Sequence, residues 1–363
     1  MTTEPIAAFK GFNKDLTCRG FQYKVGETYE HPGPVKICDS GFHAVTLPLD
    51  ALTYYKPGES VYHAVDLEGV VKQPSGDSKV VGRKITVGAQ LNILGLVKAH
   101  VEAVFKSVKE PSAKSKATTG RYANAATTGY YANAATTGRY AHAATTGDYA
   151  NAATTGDYAN AATTGDSAHA ATTGDYANAA TTGRYANAAT TGYYAHAATT
   201  GDYANAATTG DSANAATTGD SAHAATTGYS ANAATTGRYA HAATTGYSAH
   251  AATTGDYANA ATTGDSANAA TTGYSANAAT TGRYANAATT GYSANVRASV
   301  KDETAIAAVL GQGAACGARG SWLVLTERDD NWNILGVQAV QVDGEKVKAR
   351  VFYTLRGGEV VAA

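Results

Sequence analysis

Arg139-Tyr-Ala-His-Ala-Ala-Thr-Thr-Gly147 is followed at once by Asp148-Tyr-Ala-Asn-Ala-Ala-Thr-Thr-Gly156, and the same nine-residue phrase runs without an insertion from residue 117 to residue 295. Its glycines recur every nine residues from Gly120 to Gly291. So strict a register is the mark of stacked, near-identical coils, and it makes this half of the chain a β-solenoid. The phrase reads x-[Tyr/Ser]-Ala-[Asn/His]-Ala-Ala-Thr-Thr-Gly, and only its first, second and fourth positions vary. Those three positions are where a function carried by the repeats must lie.

Alanine is invariant at positions three and five, whereas position two exchanges Tyr for Ser and position four exchanges Asn for His. A close-packed interior does not absorb a Tyr/Ser volume change repeatedly, so positions two and four are expected to point outward and the alanines inward. The glycine supplies the corner, and the Thr-Thr pair before it fits the bend with a hydroxyl bonded to the backbone. An alanine core is thin, since each buried methyl contributes only about 0.8 kcal/mol, so stability has to come from many stacked coils and their ladders. A thin core favours two flat sheets with two phrases, 18 residues, per coil, giving about ten coils over roughly 48 Å at the strand spacing of about 4.8 Å. His142, His169, His196, His223 and His250 recur every 27 residues, which would suit a three-sided coil. Duplication of a 27-residue segment explains the same spacing, and the two-sided coil is the preferred reading.

Working outward, residues 1–87 alternate short apolar runs with turn signals, as in Gly20-Phe-Gln-Tyr23, Gly41-Phe-His-Ala-Val45 and Ser60-Val-Tyr-His-Ala-Val65. This predicts a small β-rich domain with one short helix near Leu47 to Tyr55. In residues 88–116, Leu91, Leu94, Leu96, Val97, Val101, Val104 and Phe105 fall near helical spacing, predicting an amphipathic helix that caps the first coil, ended by Pro111 and followed by a polar lead-in. In residues 296–363 the phrase decays into bulkier coils, as expected where a solenoid must close its open end. Strands are expected at Ser321–Thr326, Ile334–Val342 and Lys346–Leu355, with Val342-Asp-Gly-Glu345 as a hairpin turn, forming a C-terminal β cap. The whole is a mainly β chain: a β-solenoid flanked by an α+β N-terminal domain and a β cap.

Charge is close to balanced, at +3 for residues 1–116, −4 for the repeats and 0 beyond them, so no segment has the basic excess of a phosphate-gripping protein. Three cysteines, Cys18, Cys38 and Cys316, lack metal-type spacing and point to a reducing compartment. The sequence shows neither a secretion signal nor about 20 consecutive apolar residues, so a cytoplasmic location in a bacterial host is expected.

Position one carries Asp148, Asp157, Asp166, Asp175, Asp202, Asp211, Asp220, Asp256 and Asp265, interspersed with five arginines and six tyrosines. Mixed signs at corners normally serve solubility and avoid stacking like charges. The functional alternative is an acidic surface that imitates a nucleic-acid backbone, which the arginines in the same column weaken. Twelve position-two tyrosines, among them Tyr122, Tyr149, Tyr176 and Tyr203, should form outward ladders about 4.8 Å apart that stiffen the coil or offer an aromatic strip to a partner. In an 18-residue coil the periodic histidines alternate between faces and cannot converge on a metal. Calcium binding of the toxin nonapeptide type needs paired glycines and a regular acid, which the phrase lacks, and ice binding needs a denser array of outward threonines. In the N-terminal domain His43 and His63, with Cys18 or Glu68, are the only catalytic candidates, and their spacing specifies no nucleophile–base pair; no cofactor fingerprint is present.

The stretch Lys10-Gly-Phe-Asn-Lys-Asp-Leu-Thr-Cys18-Arg-Gly-Phe-Gln-Tyr23-Lys-Val-Gly-Glu-Thr-Tyr29, continuing to Cys38 and Gly41-Phe-His-Ala44, resembles an uncharacterised domain of phage and prophage proteins. Such domains are often followed by alanine-, threonine- and glycine-rich repeats, and Gly320–Leu325 and Val342–Val347 look like the segments that close them. The resemblance implies a phage-related context and transfers no activity or site residue. The leading expectation is therefore a non-enzymatic scaffold that displays Tyr, Asn/His and Asp ladders to a host or phage protein, without direct nucleic-acid or membrane contact, and with flat faces on which two copies could pair. The alternatives are a nucleic-acid-mimicking inhibitor of a DNA-handling or defence enzyme, and an enzyme with its activity in the N-terminal domain.

Overall fold

The computed structural model describes residues 5–72, 78–107, 115–291, 296–300 and 304–363. The chain forms two compact units, Met1–Thr200 and Gly201–Ala363. The first opens with β1 (Ile6–Asn13), the short hairpin β2 (Thr17–Cys18) and β3 (Phe21–Gln22), β4 (Thr28–Glu30), β5 (Phe42–Val45), β6 (Ser60–Glu68), β7 (Val71–Lys72), β8 (Lys79–Gly82) and β9 (Lys84–Leu91). All but the hairpin join one antiparallel sheet in the order β4-β9-β6-β1-β5-β8-β7. Ala8, Phe12, Val65, Leu67, Ile85 and Val87 pack one core on it. The short helix falls at Pro48–Thr53 as a 3-10 turn, and the amphipathic segment becomes α1 (Ile93–Ser107), capped by Asn92, whose Oδ1 accepts from the Gly95 amide at 2.8 Å. The first residues of the segment read as helix, up to Leu91, instead extend β9, where Gln90 and Leu91 pair with His63 and Tyr62, and α1 begins at Ile93. Pro111 and the lead-in from Ser112 to Lys114 lie outside the described residues.

From Ser115 each phrase contributes one five-residue strand covering positions four to eight. In the first unit β10 (Ser115–Thr119), β12 (Asn133–Thr137), β14 (Asn151–Thr155), β16 (His169–Thr173) and β18 (Asn187–Thr191) form one parallel sheet. The second sheet contains β11 (Asn124–Thr128), β13 (His142–Thr146), β15 (Asn160–Thr164), β17 (Asn178–Thr182) and β19 (His196–Thr200). Each residue pairs with the one 18 positions on, as Ala134 does with Ala152, so the coil is two-sided. The second unit repeats the pattern from Asn205 to Thr290. Bulkier strands follow at Val296–Val300, Ile306–Val309, Gly313–Cys316 and Trp322–Arg328. Antiparallel strands Ile334–Gln341, Tyr353–Arg356 and Glu359–Ala362 close the end. The expected third cap strand at Lys346–Leu355 is largely a turn region held by Asp343, whose Oδ1 accepts from the amides of Glu345 and Val347 at 2.8 and 2.9 Å.

Side-chain direction differs from the sequence expectation in two respects. Positions three, five and seven face inward, so the core is Ala-Ala-Thr, and the position-six alanines point out, as Ala153 and Ala171 do. Strand alternation fixes this: with position five inside, six must be outside and seven inside. The Thr-Thr pair therefore belongs to the strand, and the bend is made by glycine and positions one and two. The Gly165 backbone lies at φ +159°, and a Cβ there would run into the carbonyl of Gly147 one coil earlier, which explains the uninterrupted glycine column. The position-seven hydroxyls, such as that of Thr163, are buried with no hydrogen-bond partner among the described residues, while their methyls fill the thin core.

Helix α1 does not cap the first coil. It lies along the flank of the first unit's solenoid, across the sheet of β11, β13, β15, β17 and β19. Leu96, Val97, Val101 and Val104 of α1, with Leu49 and Leu52 of the 3-10 turn, form one buried cluster with the position-six alanines Ala126, Ala144, Ala162 and Ala180. These alanines offer a flat apolar stripe to which a helix can come close. The stripe exists only because position six points outward. Among the described residues no helix is long and apolar enough to cross a membrane.

Candidate functional sites

Two surfaces merit a functional reading: the outward face of the solenoid and a cleft in the N-terminal domain. On the solenoid, Tyr122, Tyr140, Tyr158, Tyr176 and Tyr194 form a continuous ladder along one corner, with ring centroids 4.8 to 5.3 Å apart. Tyr149 stacks on Tyr131 at 5.3 Å in the opposite corner, and Tyr203 is exposed in the second unit. The expected ladders therefore exist, though broken wherever serine replaces tyrosine, as at Ser167.

Asp148, Asp157, Asp166, Asp175, Asp202, Asp211 and Asp220 are all exposed at corners. Arginines interrupt the acidic columns and pair with them: Arg139 with Asp157 at 3.5 Å, Arg238 with Asp256 at 3.9 Å and Arg283 with Asp265 at 3.0 Å. Such exposed pairs add little stability, and they divide the negative surface into short runs.

Position four has a structural role that the sequence reading missed. Its asparagines bond from coil to coil, Asn151 Nδ2 donating to Asn133 Oδ1 at 3.0 Å and Asn178 Nδ2 to Asn160 Oδ1 at 2.9 Å, and they also donate to the carbonyl two residues earlier. Histidine fits the column because a ring nitrogen can take the acceptor's place, as His250 Nδ1 does beside Asn268 Nδ2 at 3.3 Å. Of the five histidines assigned to the binding surface, His169, His223 and His250 are exposed. His142 and His196 are not surface residues, because α1 and the 3-10 turn cover their sheet. Burial lowers the affinity of both for protons, to about 4 for His196, where nearby Lys56 acts in the same direction; for His142 the Asp50 carboxylate opposes the burial effect. His142 packs against the buried ring of His100, 5.3 Å between centroids, and Asn160 Nδ2 donates to Asp50 Oδ1 at 2.7 Å. His223 and His241 stack at 4.9 Å, and among the described residues no group of three potential metal ligands gathers.

The cleft, of about 620 Å³, opens beside β1 and the β2–β3 hairpin. Lys10 lies at its base, 5% exposed, its Nζ donating to the His43 carbonyl at 3.0 Å and to the Tyr55 hydroxyl at 3.2 Å. The Tyr55 hydroxyl also contacts Cys18 Sγ at 3.2 Å. Burial makes Lys10 easier to deprotonate and Tyr55 harder, and pushes Tyr23 up to about 12. Gly11 allows the arrangement, since a Cβ there would overlap the Tyr55 ring.

The catalytic candidates separate accordingly. His43 and Cys18 line the cleft, but both His43 ring nitrogens are engaged with backbone, Nε2 accepting from the Cys38 amide at 2.9 Å and Nδ1 lying 3.1 Å from the Gly41 carbonyl. His63 is buried in the core against Phe12, with Nδ1 2.9 Å from the Gly88 carbonyl, and Glu68 lies on the surface within 4.0 Å of Lys84. Neither of these two reaches the cleft. The sequence reading missed Lys10, although a signal was present. Ala8, Lys10 and Phe12 share one face of an alternating strand, which puts the lysine on a buried face.

Residues 6–99 match a family described as Domain of unknown function (DUF7666). The match takes in the whole antiparallel sheet from β1 to β9 and the first turns of α1, and it includes the Lys10–Ala44 stretch that carried the sequence resemblance. Repeats forming a solenoid follow it. No curated protein and no solved structure matches the chain.

Proposed function

We propose that the protein is a phage-derived, non-enzymatic binding scaffold whose flat solenoid faces take an amphipathic helix of a host or phage protein, in the bacterial cytoplasm. One observation carries this reading. The phrase Asn-Ala-Ala-Thr-Thr is identical in β15, where α1 and the 3-10 turn cover it, and in β14, where positions four, six and eight are open to solvent. A surface that already holds one apolar helix is thus repeated, exposed to solvent, on the opposite sheet of the same unit. The Ala-to-Thr face is flat enough for close helix approach, while neighbouring Tyr and Asp at the corners supply aromatic and polar rim contacts. The phage setting rests on the resemblance of the N-terminal stretch. The acidic-mimic alternative has less support, since arginines break and neutralise the aspartate columns.

A photocrosslinking side chain at Ala153, on the open face, is expected to capture one predominant protein in bacterial cells, through a peptide that is helical in that protein. The same group at the β1–β5 side of the N-terminal domain is the control. Ala135→Lys with Ala171→Lys, flanking the crosslinker, should abolish the capture. Capture no stronger from Ala153 than from the control would overturn the proposal.

A further inference from the structure

We propose that the cleft of the N-terminal domain is a binding site for a small anionic ligand carrying a planar ring, of the nucleoside phosphate class. Three cationic side chains line it, Lys10, Arg19 and Lys79, against one acid, Asp39, whose carboxylate is paired with Lys36 at 3.3 Å. Among the described residues neither Lys10 nor Arg19 has a carboxylate partner. A lysine buried to this degree with only neutral acceptors is costly in its charged form, and an anion in the cleft supplies the missing countercharge. Burial already weakens its hold on the proton.

Arg19 gives a second, independent indication. It sits at φ 50° and Gly20 at φ 78°, the two central positions of the turn joining β2 to β3, where both backbones must be left-handed. Asparagine or glycine serves such a turn without strain, whereas arginine there costs about 1 kcal/mol. Strain retained at the rim of a cleft, on a side chain that the turn itself does not need, marks a residue kept for its guanidinium. Guanidinium is the group suited to paired contacts with phosphate oxygens.

Aromatic side chains make up a further part of the wall. Phe21 is 46% exposed and packs edge-on against Tyr23 at 4.8 Å, and Phe42 lies 6.3 Å from Tyr23. Across the cleft Lys79 lies over the Tyr54 ring at 4.1 Å. An exposed phenylalanine beside cations provides a stacking surface for a base, with the phosphate directed toward Lys10 and Arg19. The volume suits a nucleotide and lies within the usual range for small-molecule sites of about 300–1,000 Å³.

The experiment is calorimetric titration of the full-length protein with ATP, ADP, AMP, adenosine and inorganic phosphate, repeated with Arg19→Asn and Phe21→Ser. At least one nucleotide is expected to bind more tightly than adenosine or phosphate and to weaken as salt rises. Arg19→Asn should weaken it at least tenfold while leaving the melting temperature unchanged or higher, because asparagine relieves the turn. Phe21→Ser should weaken nucleotide binding without affecting any binding of phosphate. No binding by any probe, or nucleotide affinity unchanged in Arg19→Asn, would overturn the proposal. Phosphate alone binding as tightly as the nucleotides would also overturn it, because the ring would then contribute nothing. The helix-docking scaffold does not depend on any of these outcomes.

Discussion

Asn160 and Asn151 occupy the same place in identical phrases, yet one is buried against Asp50 and the other faces solvent. Nothing in their own nine residues distinguishes them; the difference lies in which sheet each joins and what covers that sheet. The same holds for the alanines two residues on, Ala162 beneath α1 and Ala153 in the open. This pair separates docking from repeat folding. Ala162→Lys has to place an ammonium among Leu52, Leu96 and their neighbours, and is expected to cost about 3 kcal/mol of the contact between the N-terminal domain and its sheet. Ala153→Lys, at the equivalent position on the open sheet, should change stability by no more than about 0.5 kcal/mol. Chemical denaturation of the two variants checks this, and equal effects would mean that position six matters to the coil itself rather than to the docked helix.

At the scale of elements, the docked helix places three neutral histidines in one interface. His100 Nδ1 accepts from the Leu49 amide at 3.3 Å, which requires that nitrogen to be unprotonated, and burial holds its proton affinity well below the ordinary range; burial also lowers that of His142 and, to about 4, that of His196. Groups whose proton affinity is lowered by docking bind protons more readily when undocked, so the docked state is favoured at neutral pH and loses stability as pH falls. The ordinary value near 6.5 and the value of about 4 for His196 set the window. A gap of that size corresponds to about 3 kcal/mol for one buried group. Exchange of the α1 amides, corrected for intrinsic rate, should stay slow at pH 7.5 and accelerate between about 6.5 and 4. Substituting His142→Asn and His196→Asn, the alternative residue of that column, should remove most of the slope; an unaltered slope would assign it elsewhere. The helix itself was legible, since Leu96, Val97, Val101 and Val104 form its apolar stripe, although its start at Ile93 was not. Its seat was not. The alternation of a five-residue strand permits either parity, and only the inward turn of position seven, where threonine stands instead of alanine, leaves the position-six alanines outside to receive it.

For the molecule as a whole, legibility follows repetition. The 18-residue coil could be read from a glycine column and a core of methyl groups, because every coil poses the same steric problem. The cleft was far less legible: Lys10, Arg19, Cys18, His43 and Tyr55 come from separate segments of a domain in which nothing repeats, and only the sheet brings them together. Repetition also makes the solenoid tolerant of length. Among the repeat strands of the second unit from His223 to Thr290, each meets the strand 18 residues before it in unshifted register, and Gly219, Gly237 and Gly255 stack at one corner with carbonyls beneath them. Removing residues 220–237, two whole phrases, joins Gly219 to Arg238 and restores the same junction, so the protein should fold with one coil fewer and only a modest fall in melting temperature. Removing residues 220–223 alone is a smaller deletion but shifts every later residue by four places in a nine-residue cycle. It would place side chains other than glycine against the carbonyls at the corner and remove strand residues from their partners. That shorter deletion should be the more damaging, with loss of the cooperative thermal transition in circular dichroism. Comparable melting of the two deletions would show that the glycine column is not what fixes the register.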